Sequence, residues 1–147
     1  MNLTLDANIW VGAFDPSDLR QSVYKNVLKV VFSNPDITVF SPYLMEVEVL
    51  ASMARKFRDI GKVNDVKNMM WSHPRQYWFV LDNGLAAEAS HCATSLYLRG
   101  SDAVYVAVAQ SNNASLLTFD NEIVTRASSV VPVIKPDQWL KTRAQPL

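Results

Sequence analysis

The sequence is poor in the residues that build several common functional sites. Its 147 residues include one cysteine, Cys92, two histidines, His73 and His91, and four glycines. A lone cysteine rules out a disulfide framework, and two histidines beside it leave too few ligands for a Cys/His zinc site. The glycines form no phosphate-cradling loop, since neither GxGxxG nor GxxxxGK[ST] occurs. No apolar run approaches the roughly 18 residues of a membrane span. The opening MNLTLDANIW lacks the basic segment and cleavage site of a secretory leader. Net charge is also absent, because 14 Lys and Arg balance 14 Asp and Glu. Bulk electrostatics therefore gives no reason to expect a polyanionic partner. Together these absences predict a soluble protein of a reducing compartment, the cytoplasm.

Apolar residues are plentiful, at 49% against 19% charged, enough to pack one domain spanning residues 1–147. Short β-rich runs alternate with helical stretches. Strands are expected at Leu3–Leu5, Ile37–Phe40, Trp78–Leu81, Ser115–Phe119 and Val130–Ile134. Helices are expected over 17–33, with Ser17 as N-cap, from Ser41-Pro42 to Phe57, from Gly61 to before His73, over 85–98 and over 121–127. Residues 102–110, DAVYVAVAQ, fit either type, since Val104, Val106 and Val108 alternate while Ala103 and Ala107 suit a closely packed helix. This pattern predicts an α/β fold, a mainly parallel sheet with helices on both faces.

Open α/β sheets do their chemistry beyond the carboxyl ends of the strands. Two expected strands end in aspartate there, Leu5 leading to Asp6 and Phe119 leading to Asp120, and Asp102 opens the segment between. Glu46 and Glu48 lie two apart on a helix, so only one of them can face a crevice at that edge. Each aspartate alone is explained as an N-cap. Several at one sheet edge are harder to explain as independent caps. Two carboxylates about 4 Å apart repel by roughly 1 kcal/mol even in water. Such a group must take up protons or bind a cation. Oxygen ligands without histidine or cysteine select Mg²⁺ or Mn²⁺, which favour phosphate oxygens as further ligands. Phosphodiester hydrolysis follows as the expected chemistry.

Four stretches of the sequence resemble the PIN-domain ribonucleases, and among them the small VapC-type toxins of toxin–antitoxin pairs. They are Leu5-Asp6-Ala7-Asn8, the helix from Ser41-Pro42 through Glu48-Val49-Leu50, Asp102-Ala103-Val104-Tyr105-Val106-Ala107, and Leu116-Leu117-Thr118-Phe119-Asp120. The resemblance implies a five-stranded parallel sheet, a helix at 102–110, and Glu48 rather than Glu46 as the second acid. It further implies Mg²⁺- or Mn²⁺-dependent cleavage of RNA by Asp6, Glu48, Asp102 and Asp120. Asp6 and Asp102 would be the principal ligands, with Asn8 and Thr118 in support. A homodimer and a small antitoxin are implied as partners. A haloacid-dehalogenase-like phosphatase would need a second aspartate where Asn8 stands. A catalytically silent RNA-binding module of the same fold is the non-enzymatic alternative.

The neutral chain has one basic stretch, residues 55–67, with five basic and two acidic side chains. Arg55 and Lys56 follow Glu48 by about two helical turns, and Arg55 shares its face, so both are candidates for guiding an RNA backbone. Glu122 is a candidate outer ligand. The tryptophans, Trp10, Trp71, Trp78 and Trp139, together with Phe14, His91 and Cys92, are assigned to packing.

Overall fold

Leu3, Thr4 and Leu5 are all fully buried, which places their strand in the middle of a sheet covered on both faces. The computed structural model describes residues 1–143. It contains β1 (Asn2–Leu5), α1 (Ala7–Ala13), α2 (Gln21–Ser33), β2 (Thr38–Pro42), α3 (Tyr43–Phe57) and α4 (Ile60–Ser72). There follow β3 (Gln76–Phe79), α5 (Asn83–Leu96), α6 (Gly100–Ser111), β4 (Ser115–Leu117), α7 (Asn121–Ala127), β5 (Val133–Ile134) and α8 (Pro136–Arg143). The sheet order is β3-β2-β1-β4-β5 and every pairing is parallel. The α/β expectation holds, with five strands. Strand order reverses direction beside β1, so the crevice of this fold opens where β1 and β4 end.

Residues 102–110 are helical, and every side chain of α6 from Ala103 to Ala109 is buried. A helix that is apolar all round loses its 3.6-residue signature, which is why its sequence reads equally well as a strand. Two helices were not expected. The short α1 follows directly from the Asp6 cap, and α8 buries Trp139.

Other boundaries move for identifiable reasons. Helix α2 begins at Gln21 rather than near Ser17. The Ser17 amide and hydroxyl both donate to Asp15 Oδ1, at 3.0 and 2.7 Å, and the Arg20 amide donates to Asp18 Oδ1 at 2.7 Å. Successive Asx turns hold this segment out of the helix. Strand β3 stops at Phe79, and Val80 and Leu81, expected within it, are exposed. Asp82 instead caps α5 by accepting from the Leu85 amide at 2.9 Å. Trp10 and Trp139 are buried as expected, whereas Trp71 is partly exposed and stacks on Trp78 with ring centroids 4.8 Å apart. Among the described residues, no helix is long and apolar enough to cross a membrane.

Candidate active site

The register of the two central strands builds the first half of the site. Leu5 pairs with Leu117, so the next residues, Asp6 and Thr118, leave the sheet side by side. The Thr118 hydroxyl donates to Asp6 Oδ2 at 2.6 Å, and the Asn8 amide donates to Asp6 Oδ1 at 3.2 Å. Asp6 is thus the α1 cap and at the same time an anchored carboxylate at the strand end. Two residues beyond Thr118, Asp120 caps α7, its Oδ1 accepting from the Glu122 amide at 2.7 Å. Thr118 Oγ1 accepts from the Asp120 amide at 2.9 Å, so one buried hydroxyl ties the two acids together.

The other half comes from helices. Asp102 lies in the first turn of α6 and Glu48 on α3. Tyr105, one turn after Asp102, donates its phenol proton to Glu48 Oε2 at 2.5 Å. These residues line one crevice of about 400 Å³ with Asp6, Asn8, Ser52, Arg55, Arg99 and Asp120. Glu46 does not line it; that carboxylate accepts from the Trp71 indole at 2.6 Å and pairs with Lys67 at 3.3 Å. Lys56 does not line it either. It is paired with Asp15, which is held at about 2 by the Lys56 and Ser17 hydrogen bonds.

Burial raises the Asp6 carboxyl above its ordinary range; the Thr118 and Asn8 bonds oppose this, and the Asp120 charge adds to it. Burial also lifts Asp102 to about 6, against the pull of Arg99 and with a further push from Asp120, Asp6 and Glu122. Asp102 Oδ2 is inaccessible and accepts no hydrogen bond, although the Arg99 guanidinium stands 3.3 Å away. The same guanidinium reaches Asp120 Oδ2 at 3.3 Å and Glu122 Oε2 at 3.4 Å.

Among the described residues, no three acidic, histidine or cysteine side chains stand close enough together to enclose a metal ion. A Mg²⁺ site does not require such a cage, because this ion keeps several waters and is commonly held through one or two carboxylates. The orphaned oxygen of Asp102 and the all-oxygen donor set fit a hard divalent cation of that kind.

A model of the PIN domain matches residues 3–128. The chain belongs to the PIN domain family. Among solved structures, this PIN domain is similar to VapBC2 from Rickettsia felis bound to a DNA fragment from its promoter. Identity there is 15% and the TM-score 0.69, covering 92% of this chain and 98% of that one. It is also similar to Mycobacterium tuberculosis VapC20, described as a sarcin-ricin loop cleaving toxin. That pair is 14% identical with a TM-score of 0.69, covering 84% of this chain and 93% of that one. FitAcB from Neisseria gonorrhoeae is 18% identical with a TM-score of 0.66, covering 92% of this chain and 98% of that one. These likenesses show a shared fold. Among curated proteins none matches the chain.

Two residues of this PIN domain site were not singled out from sequence. Tyr105 lies three residues after Asp102 and Arg99 three before it, and that spacing puts both on the aspartate's side of α6. Helical periodicity applied outward from Asp102 would have found them.

Proposed function

We propose that this PIN domain, taken as one unit over residues 1–147, is a Mg²⁺- or Mn²⁺-dependent endoribonuclease and the toxin of a toxin–antitoxin pair. The observation that supports this most is the convergence of Asp6, Glu48, Asp102 and Asp120 from four separate elements on one crevice. PIN domains are generally nucleases, and the similar structures include a toxin described as cleaving the sarcin-ricin loop and several toxin–antitoxin complexes. In this reading Asp6 and Asp102 are the principal metal ligands, and Glu48 and Asp120 complete the set directly or through water. The bound ion would activate a water for in-line attack on a phosphodiester and offset the charge that develops.

The remaining work falls to the chain itself. Thr118 and Asn8 fix the Asp6 carboxylate, Tyr105 fixes Glu48, and Asp102 binds the cation once its proton has left. Arg55, on the crevice wall, guides the RNA backbone, whereas Lys56 is engaged by Asp15 and has no such role. A small antitoxin and a second copy of the chain are the proposed partners, and the cytoplasm, where the single Cys92 stays reduced, is the proposed compartment.

The test is cleavage of a single-stranded oligoribonucleotide with Mn²⁺ and with EDTA, by the native chain and by Asp102→Asn. Expected are metal-dependent cleavage and a loss of about 100-fold or more in the variant, with an unchanged circular dichroism spectrum. Cleavage that persists in EDTA, or in Asp102→Asn, would refute the assignment.

A further inference from the structure

We propose that Arg99 is an exchangeable counter-ion of the acid crevice. Its guanidinium competes with a divalent cation for Asp102 and Asp120 and, once displaced, takes a phosphate oxygen of the substrate strand. This inference rests on the nuclease reading above.

Arg99 occupies the N-cap position of α6 in extended backbone conformation, and its side chain makes no capping bond. The side chain turns instead to the crevice and divides its nitrogens among three carboxylates, with Nε 3.3 Å from Asp102 and Nη2 3.3 and 3.4 Å from Asp120 and Glu122. Charge-assisted bonds that hold firmly are shorter, about 2.7–2.9 Å, and a well-seated guanidinium meets one carboxylate through two parallel bonds. Arg99 has neither feature. Its side chain is 66% exposed, against 16% for Asp102. Among the described residues no other group bonds its head group, so it can leave without uncovering a buried cation.

The neighbouring arginine behaves differently. Arg126 pairs with Glu122 Oε1 at 2.9 Å and donates to the Tyr97 carbonyl, so it is held at two points. When Arg99 withdraws, Glu122 therefore keeps a cationic partner. Among the described residues Asp102 and Asp120 do not, and both belong to the set of crevice carboxylates that a divalent ion would take. A released Arg99 remains at the rim of the same crevice as Arg55, and its planar fork suits a phosphate better than a lysine ammonium does.

The experiment measures Mn²⁺ affinity by titration calorimetry and RNA cleavage at saturating Mn²⁺, for the native chain, Arg99→Gln and Arg99→Lys. With the competing charge gone, Arg99→Gln is expected to bind Mn²⁺ about tenfold more tightly. Its KM for the oligoribonucleotide is expected to rise by about tenfold through loss of the phosphate contact. Arg99→Lys, which keeps the charge without the fork, should bind Mn²⁺ like the native chain while its KM still rises. An unchanged or weakened Mn²⁺ affinity in Arg99→Gln overturns the proposal, as does an unchanged KM in either variant. A native chain that binds no Mn²⁺ would instead bring down the nuclease reading itself.

Discussion

Replacing Tyr105 by Phe removes one oxygen from the middle of the site and nothing else. Tyr105 is 3% exposed, and its phenol donates to Glu48 Oε2 at 2.5 Å. Burial and the facing carboxylate push the phenol far above its ordinary range, so it remains a donor at every working pH. A hydrogen bond to a charged acceptor contributes roughly 1.5–3 kcal/mol. Glu48 borders an open crevice, however, and water can take over part of the phenol's role, so a net loss of about 1 kcal/mol is expected. For a chain of this length that lowers Tm by about 2–4 °C. The effect on catalysis should be larger, because a carboxylate released from its partner no longer points where the ion needs it; losses of about 10–100-fold are usual when such supporting bonds are cut. Thermal melting and oligoribonucleotide cleavage under Mn²⁺ titration measure the two effects. A double-mutant cycle with Glu48→Gln separates them, since Tyr105→Phe should cost little more activity once Glu48 is neutralised. Full activity in Tyr105→Phe, or losses that simply add to those of Glu48→Gln, would refute the reasoning.

In the absence of metal, Asp102 titrates near 6 in the folded chain against 3.8 as its ordinary value. Between about pH 4 and 6 the folded state therefore keeps a proton that the unfolded state has lost, and stability should fall as pH rises through that window. Apparent Mn²⁺ affinity should rise over the same range, by up to about tenfold per unit, and level off above it. Melting in EDTA and calorimetry at several pH values test this, and Asp102→Asn should flatten both slopes, leaving the part that Asp6, also raised by burial, contributes. A methyl group on Gly12 would lie 2.3 Å from the Tyr24 ring. Gly12→Ala should accordingly cost about 1–3 kcal/mol by overpacking, read from chemical denaturation. Arg55→Ala should weaken RNA binding and reduce its salt slope by about one, while Lys56→Ala lowers Tm and leaves that slope unchanged; equal slopes in all three proteins would remove Arg55 from the interface.

The architecture was legible because alternating strands and helices admit few topologies, and the family motifs cover the strand ends that matter. What escaped the reading were elements too short or too irregular to carry a period. Helix α1 has seven residues, barely two turns, and its apolar side chains continue the run of the strand before it. Ser17 has the chemistry of a cap, but Asp15 takes its hydroxyl, a competition decided by geometry that no spacing rule contains. The position of Lys56 outside the crevice was not legible for a similar reason. Its side chain meets Asp15, 41 residues away in the chain, a partner invisible to any local window. Tyr105 and Arg99 differ from these cases, because both lie within one helical turn of Asp102 and only a search outward from that acid was needed.

Capping and metal binding compete as explanations of an aspartate in sequence, but a carboxylate has two oxygens. Asp120 gives Oδ1 to the amides of α7 and turns Oδ2 toward the crevice, where Arg99 meets it. Asp6 likewise caps α1 through Oδ1 and receives Thr118 on Oδ2. The cap is therefore part of what would make a ligand: it fixes the carboxylate at the strand end with backbone bonds that need no further side chains. Asp102 is the contrast. It caps nothing, its Oδ2 accepts no hydrogen bond, and it shows the large upward displacement of its titration. Burial raises Asp6 as well, but there the Thr118 and Asn8 bonds oppose it, whereas at Asp102 only the Arg99 charge does. On this argument the three aspartates are not equivalent, and Asp102 is the one whose removal should cost the most metal affinity.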